Sequence, residues 1–185
     1  VNFTSNNITG LVIQNYSGQF PIENIILNKG ESYTIALKVP DSNGNRDGLI
    51  GALVSSDKPV VVNSGSANGS FGNGGARDYG IDQIVGLDKV GKEYIFVKGE
   101  GNDSYENVLI VAHYDNTNIK INEESTEATI NKGDYYIIEG DKFTNGNMYV
   151  STSEDVFAYQ GIGGANEANQ GMFFVPPLNE DAQDD

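Results

Sequence analysis

The sequence has no cysteine, no tryptophan and a single histidine among its 185 residues. Without cysteine, the chain has no disulfide framework, no thiolate metal site and no thiol nucleophile. The absence of disulfides does not indicate a cytosolic protein, because extracellular bacterial modules often do without them, whereas small secreted animal domains usually need them. The missing cysteine therefore excludes sulfur chemistry and leaves the compartment open.

Basic residues and long apolar runs are also scarce. The chain has 11 Lys and Arg residues against 26 Asp and Glu residues, which gives a formal net charge of −15. Such a charge disfavours phosphate-rich partners, because binding them requires Lys and Arg to displace counterions. The longest apolar runs, residues 49–54 and 108–112, are far shorter than the roughly 20 residues that cross a bilayer. We therefore expect neither a nucleic-acid partner nor membrane insertion.

The segments that are present are typical of β-strands. Most are short, rich in β-branched or aromatic residues, and bounded by Gly, Asn, Asp or Ser, which is the pattern of strands joined by turns. A single helical turn is expected at most, over residues 164–170. The sequence predicts an all-β chain, with candidate strands at 10–14, 22–27, 33–39, 49–54, 59–63, 94–98, 107–114, 118–122, 127–130, 135–139, 148–151, 155–160 and 171–175.

The sequence also contains internal repeats. The pattern Gly-x-x-Tyr-x-(Ile/Phe) occurs at residues 30–35, 91–96 and 133–138, and residues 54–65 align without gaps on residues 150–161. These repeats predict a domain assembled from about three related multi-strand units. The predicted domain spans residues 1–178 with units at 28–87, 88–130 and 131–178, and the acidic residues 179–185 are expected to be a linker or a truncation end.

The alternation within the first repeat indicates how the strands pack. Tyr33, Ile35, Leu37 and Val39 alternate with smaller or polar residues, so one face of this strand is expected to be buried and the other solvated. Two such layers packed face to face make a β-sandwich-like assembly, which is the predicted architecture. A partial β-propeller-like array is the alternative. It would make the chain a fragment, because three units cannot close a propeller.

Groups suited to catalysis are few. The single histidine, His113, is predicted to lie at the end of a strand before a turn, and a catalytic role would require it to meet both a serine and an orienting acid. The sequence has no Gly-x-Ser-x-Gly nucleophile elbow, and no spacing favours a particular pair of carboxylates. We therefore expect no catalytic residue and no enzymatic activity.

Calcium is the better candidate for a bound group. Asp41, Asn43, Asn45 and Asp47 place oxygen side chains at alternate positions of a loop that ends on glycine, and Ca²⁺ prefers such ligands. The second half of the calcium-loop pattern is missing, because Val54 occupies the position of the bidentate glutamate. An ordinary Asn- and Gly-rich connection explains the same composition. The sequence leaves both interpretations open.

Residues 63–82 form the longest stretch without a clear strand pattern. A connection of about 20 residues within a compact domain is usually functional or mobile. We predict a ligand-binding loop for a glycan or peptide, with a structural loop that covers a sheet edge as the alternative. The candidate residues combine an aromatic surface with charge and hydrogen-bonding groups: Phe71, Arg77, Asp78, Tyr79 and Asp82.

Residues 133–136, 150–161 and 172–178 carry a family resemblance, together with residues 55–60 and 78–83. Over about residues 30–178 the chain resembles the N-terminal domain of the IgG-Fc-binding protein family, which also occurs in very large surface proteins of gliding and related bacteria. The resemblance implies a secreted adhesin or filament component. Because the animal members are rich in cysteine elsewhere, a cysteine-free chain fits the bacterial branch better. The resemblance identifies no ligand-binding residue, and Fc binding is not inferred from it.

Residues and resemblance together predict a non-enzymatic, extracellular, cell-surface module for adhesion or binding within a large bacterial surface protein. Its partner is expected to be a surface glycan, a protein, or a neighbouring module of the same protein. Two alternatives stay open. One is a structural spacer or stacking domain of a surface filament, and the other is a calcium-stabilised carbohydrate-binding module.

Overall fold

The computed structural model describes residues 1–5, 12–13, 22–38, 47–69, 78–162 and 171–178, with the backbone alone at residues 12–13, 38, 67–69 and 78. These residues form thirteen strands and two short 3₁₀ turns, so the all-β prediction is confirmed. Within these ranges no helix is long and apolar enough to cross a membrane. The chain divides into two compact units, Val1–Val60 and Val61–Asp185.

The described residues of the first unit form four short strands in two antiparallel pairs. Strand β1 pairs with β4, and β2 pairs with β3. Phe3 and Ile22 are both buried and exchange two backbone hydrogen bonds of 2.8 and 3.0 Å. The strands are β1 (Asn2–Thr4), β2 (Val12–Ile13), β3 (Leu37–Lys38) and β4 (Leu53–Ser55).

Three strand predictions in the first unit are wrong over most of their length. Residues 22–27 contribute only the bridge at Ile22, of the described residues 33–38 only 37–38 pair, and of residues 49–54 only 53–54 pair. Tyr33 is 46% exposed instead of buried. A polar turn lies just before it: the Asn28 N–H donates to the Glu31 carboxylate, and the Glu31 N–H donates to the Asn28 carbonyl. Alternation alone does not make a strand where no partner strand is aligned.

The second unit contains the remaining nine strands. Strands β5 and β6 form a separate antiparallel hairpin, and the other seven form one antiparallel sheet. The 3₁₀ turns are Leu87–Lys89 and Gly140–Lys142. The strands are β5 (Val62–Gly69), β6 (Asp78–Ile84), β7 (Gly91–Val97), β8 (Asn107–Ala112), β9 (Thr117–Ile121), β10 (Thr126–Ile130), β11 (Tyr135–Glu139), β12 (Asn147–Ile162) and β13 (Gly171–Phe174).

Strand β12, which is 16 residues long, is the centre of this sheet. Its first part, up to Thr152, pairs with β7 on one edge and β9 on the other, and its last part, from Val156, pairs with β8 and β13. Strand β10 extends the sheet beyond β9, and β11 extends it beyond β8. The sheet therefore consists of two four-stranded halves, β10-β9-β12-β7 and β11-β8-β12-β13, that share one strand.

The inner faces of the two halves build a single core. Gln160 lies in the second half, is 2% exposed, and donates from Nε2 to the Val97 carbonyl of the first half at 2.7 Å. The buried Glu106 carboxylate, at the start of β8, accepts the N–H groups of Gly99 and Gly101 beyond β7, at 3.1 and 2.9 Å. The core residues come from both halves: Tyr94, Phe96, Val108, Ile110, Ala112, Ile119, Ile121, Ile130, Ile138, Met148, Val150, Val156, Ala158 and Val175.

The predicted strands 148–151 and 155–160 are one continuous strand, β12. The aligned segment 54–65 is instead interrupted between β4 and β5. Pro59 stands there at the position of Asp155, and proline has no N–H to donate to a ladder. Strands from residues 88–130 and 131–178 are mixed within one sheet, where β12 from the second range pairs with β7, β8 and β9 from the first. The predicted unit boundaries and the sandwich-like assembly stay predictions.

The bend of β12 is held by Tyr94. The pairing of β12 with β7 shifts register between Ser151 and Val156, and a strand bends where extra residues interrupt its ladder in this way. The Tyr94 hydroxyl donates to the Val156 carbonyl at 2.6 Å and accepts the Gly91 N–H at 2.9 Å. Burial raises the pKa of Tyr94 to about 12. The spacing of the Gly-x-x-Tyr pattern therefore has a physical reason here. It places the tyrosine hydroxyl where it can bond both to the glycine of the same pattern, Gly91, and to Val156 of the bent strand β12.

Replacing Tyr94 by phenylalanine tests this role. The change keeps the ring but leaves the Val156 carbonyl and the Gly91 N–H without their partner, so we expect the free energy of unfolding to fall by about 1–3 kcal/mol. Urea denaturation measures the change. Tyr114→Phe, at a hydroxyl-bearing ring that is 42% exposed, is the matched control and is expected to change stability by less than about 0.5 kcal/mol. Equal effects of the two variants would contradict the assignment.

Candidate functional site

The stretch predicted to be an irregular ligand-binding loop is for the most part a hairpin. Residues 62–69 and 78–84 pair as β5 and β6, with a register shift between Ser66 and Gly69. A Cβ atom on Gly65 would lie 2.0 Å from the Gly80 carbonyl oxygen. Glycine at this position therefore permits two strands to approach closely and does not mark a loop. Phe71 and Arg77 lie outside the described residues, and only the backbone of Asp78 is described.

The outward face of the hairpin is uncharged and carries an aromatic ring. Tyr79 is 59% exposed and Ile81 is 39% exposed on alternate positions of β6. Gln83, next in the same row, lies directly opposite Asn63 of β5, and both are exposed. Opposite residues of paired strands have Cβ atoms about 5 Å apart. The face thus combines an aromatic surface with two neighbouring amides, groups that bind sugar hydroxyls or a protein surface.

Asp82 points to the other face of β6 and makes structural contacts. Its carboxylate accepts the Phe174 N–H of β13 at 2.7 Å and the N–H of the adjacent Gln83 at 2.8 Å. Phe174 in turn packs its ring against Tyr159 with the centroids 5.7 Å apart, and burial raises the pKa of Tyr159 to about 12. The structure therefore brings Tyr79 and Asp82 onto one strand but on opposite faces. Their contact with a ligand stays a prediction.

The predicted calcium loop lies mostly beyond the described residues. Asp41, Asn43 and Asn45 are outside them, and Asp47 is half-buried in a turn where its carbonyl accepts the Ile50 N–H at 2.8 Å. Among the residues that the structure describes, no group of three or more His, Asp or Glu side chains is placed to hold a metal ion. The calcium site at residues 41–47 therefore stays a prediction.

His113 lies in a bend directly after β8, as expected for a residue at a strand end. Its ring meets the Tyr114 ring edge-on at a centroid distance of 4.9 Å. Partial burial, together with the positive charge of Lys132, lowers the pKa of His113. These surroundings favour the neutral imidazole.

A second apolar surface, which the sequence did not indicate, lies on the outward face of β7. Ile95 is 48% exposed and Val97 is 63% exposed. Ile95 pairs with Tyr149 of β12, whose hydroxyl binds the Glu93 carboxylate, and this bond is the main cause that raises the pKa of Tyr149 to about 12. In the sequence, residues 94–97 are one continuous apolar run. Such a run predicts burial on both faces, so periodicity could not show that one face is exposed.

Comparison with known proteins gives one match. The model of the family described as IgGFc binding protein matches residues 4–183, which is nearly the whole chain and includes the hairpin, the seven-stranded sheet and all but the first three residues of the first unit. No curated protein matches the chain, and no solved structure matches it either.

Replacing Asp82 by asparagine tests its structural role. Asparagine keeps one acceptor oxygen but turns an NH₂ group toward one of the two N–H donors, so we expect the free energy of unfolding to fall by about 1–2 kcal/mol. Hydrogen exchange at the Phe174 amide is expected to speed up. Asp141→Asn, at an exposed aspartate of the same unit, is the control that changes charge alone. If the amide of Phe174 exchanges equally slowly in both variants, Asp82 does not anchor the hairpin to β13.

Proposed function

Because the chain belongs to the IgGFc-binding protein family, we propose that it is a non-enzymatic, extracellular module for adhesion or binding in a large bacterial surface protein. Family membership indicates a binding module, and it rests on a match that covers residues 4–183. We propose further that the partner is a protein. The family match is the observation that carries this proposal.

The exposed apolar surfaces support a protein partner. In a chain with a net charge of −15, most of the surface is suited to water and to repelling other acidic proteins. The outward faces of β6 and β7 instead expose Tyr79, Ile81, Ile95 and Val97. Aromatic and aliphatic side chains that are surrounded by polar surface are the usual centre of a protein interface.

A binding measurement tests the proposal. The immobilised chain is exposed to purified IgG Fc fragment and to a panel of extracellular proteins, and binding is followed by biolayer interferometry. We expect at least one member to bind, with an affinity that changes less than about tenfold between low and high salt, because the proposed contacts are uncharged. The urea-unfolded chain is the control for nonspecific adsorption. A chain that binds no member above that control would contradict the proposal.

A second candidate is a calcium-stabilised carbohydrate-binding module. The observation that favours it is the outward face of the hairpin, where Tyr79 lies in the same row as the amide of Gln83, with Asn63 opposite. A sugar ring can pack on the tyrosine while the amides bind its hydroxyl groups. A glycan array read with wild type and Tyr79→Ala distinguishes this function from protein binding.

Removing calcium tests the metal in the same proposal. An ion that binds the folded chain alone stabilises it by mass action, by about 2.7 kcal/mol at a hundredfold excess over its dissociation constant. We therefore expect the melting temperature to rise when Ca²⁺ is added to the EDTA-treated chain. The rise should be absent in Asp47→Ala. The same concentration of Na⁺ should raise the melting temperature of neither the wild type nor the variant. An identical melting curve with EDTA and with Ca²⁺ would remove the site at residues 41–47.

A further inference from the structure

A two-residue turn lies directly before β12. Thr144 and Asn147 exchange backbone hydrogen bonds of 2.8 and 3.0 Å across it, and the two residues between them, Asn145 and Gly146, have φ values of 52° and 80°. Positive φ at both central positions is the geometry of a type I′ turn, which Asn-Gly adopts readily. Both central residues are exposed. The turn therefore presents an Asn-Gly pair to solvent beside the central strand of the sheet.

The side-chain amide of Asn145 and the N–H of Gly146 are not engaged. Neither group has a hydrogen-bond partner among the residues that the structure describes. The pair is held instead by its carbonyl groups: the Asn147 side chain donates to the Asn145 carbonyl at 3.3 Å, and the Lys98 N–H donates to the Gly146 carbonyl at 2.9 Å. A Cβ atom on Gly146 would meet nothing within 4 Å. The space beside the glycine is thus open.

Two other asparagines of the second unit share the left-handed backbone but differ in one of these features. Asn116 has a φ of 57° and is followed by Thr117, whose branched side chain is buried and crowds its own backbone nitrogen. Asn122 has a φ of 50°, and its amide is held on both sides. Its Oδ1 accepts the Tyr149 N–H at 3.0 Å, and its Nδ2 donates to the Lys142 carbonyl at 3.2 Å. Neither asparagine combines an unengaged amide with a following glycine.

We propose that Asn145 is a site of spontaneous deamidation, in which the backbone nitrogen of Gly146 converts the side-chain amide into a carboxylate. This inference is independent of the binding function proposed above. Three further Asn-Gly pairs, at residues 43–44, 68–69 and 73–74, have asparagine side chains outside the described residues. Among the described side chains, Asn145 is the one asparagine that a glycine follows.

The reaction balances with water alone. The Gly146 nitrogen gives up its proton to solvent base and forms a bond with the Asn145 Cγ, and the side-chain nitrogen leaves as ammonia. Water then opens the resulting imide ring. Opening at Cγ gives aspartate, whereas opening at the main-chain carbonyl carbon gives isoaspartate, in which the chain continues through the former side chain. Each event consumes one water molecule, releases one ammonia molecule and makes the formal net charge of −15 more negative by one.

The folded turn controls the rate of this reaction. Bond formation requires the Gly146 nitrogen to approach the Asn145 Cγ in a reactive orientation, and the paired backbones of Thr144 and Asn147 restrict that movement. All four residues of the turn are exposed, so the turn can open locally while the core stays intact. We therefore expect a rate that is lower than in the unfolded chain but well above the rate at the other two asparagines.

Isoaspartate at this position changes the start of β12. It adds one main-chain atom to a turn whose geometry fits two residues, so the pairing of Thr144 with Asn147 is expected to be lost. The Gly146 carbonyl moves with the turn, and the Lys98 N–H then loses its partner. The core side chains of β12 begin only at Met148. The modified chain is therefore expected to stay folded, with the first residue of the strand frayed.

Peptide mapping of the aged, folded chain tests the proposal. The wild type is kept at mildly alkaline pH and body temperature, and samples are digested with chymotrypsin, which releases residues 144–149 by cleaving after aromatic residues. Mass spectrometry measures the deamidated fraction against the unaged chain, and isoaspartate methyltransferase labels the isoaspartate. We expect deamidation at Asn145 to be at least about tenfold faster than at Asn116 and Asn122.

Two controls separate the effect of the native turn from that of the sequence. Gly146→Ala places a methyl group beside the attacking nitrogen and is expected to react at least about tenfold more slowly. Urea below the unfolding transition increases the unfolded population, so a rate that changes less than about twofold under these conditions assigns the reaction to the folded turn. In the isoaspartate form, the Lys98 amide is expected to exchange its hydrogen at least about fivefold faster than in the unmodified chain.

Three results would overturn the proposal. The first is a folded chain that keeps its Asn145 amide while the urea-unfolded chain loses it. The second is an equal rate at Asn145 and Asn116. The third is a rate at Asn145 that rises with urea in proportion to the unfolded population, because the reaction then belongs to the unfolded chain. Alanine is strained at the φ of 80°, and if Gly146→Ala unfolds, these three comparisons in the wild type still decide.

Discussion

The second unit depends on one strand that bends, and the bend depends on a buried hydroxyl. Strand β12 takes part in both halves of the sheet, and its pairing with β7 shifts where the halves join. Tyr94 fixes that point, because its hydroxyl bonds to Val156 beyond the shift and to Gly91 at the start of its own strand. The apolar inner faces can enclose one core only if the strand that they share turns at this place.

A second set of contacts closes the sheet far from the bend. Gln160 reaches from the second half to the backbone of Val97 in the first half, and the Glu106 carboxylate takes two N–H groups of the segment that follows β7. A buried carboxylate is costly unless its oxygen atoms are satisfied, and here two backbone donors satisfy it. Polar contacts therefore join the two halves both at the shift in β12 and far from it, and apolar side chains fill the space between. Together these contacts specify one arrangement of the halves.

The sequence was sufficient for the class of fold and for most of the strands in the second unit. It did not predict whether the tyrosine of each motif is buried or exposed, as the three Gly-x-x-Tyr patterns show. Tyr94 is completely buried, Tyr136 is half-buried with its hydroxyl donating to Glu127, and Tyr33 is 46% exposed in a segment without a partner strand. The local pattern is the same in all three, and the difference lies in which distant strand aligns with it. The hydrogen bond between the Asp82 carboxylate and the Phe174 N–H likewise joins residues 92 positions apart, so no local pattern in the sequence indicates it.

The position of β12 in the chain has a consequence for how the unit acquires its structure. The hairpin of β9 and β10, and the pair β8 and β11 that encloses it in the chain, connect nearby residues. Tyr94, in contrast, contacts Val156 across 62 positions. Contacts of such long range close slowly, because the entropy of the intervening chain must be lost before they form. During synthesis, strands β7, β8 and β9 therefore keep an apolar face exposed to solvent until residues 147–162 have left the ribosome. A chain interrupted before that strand retains local pairs without a core.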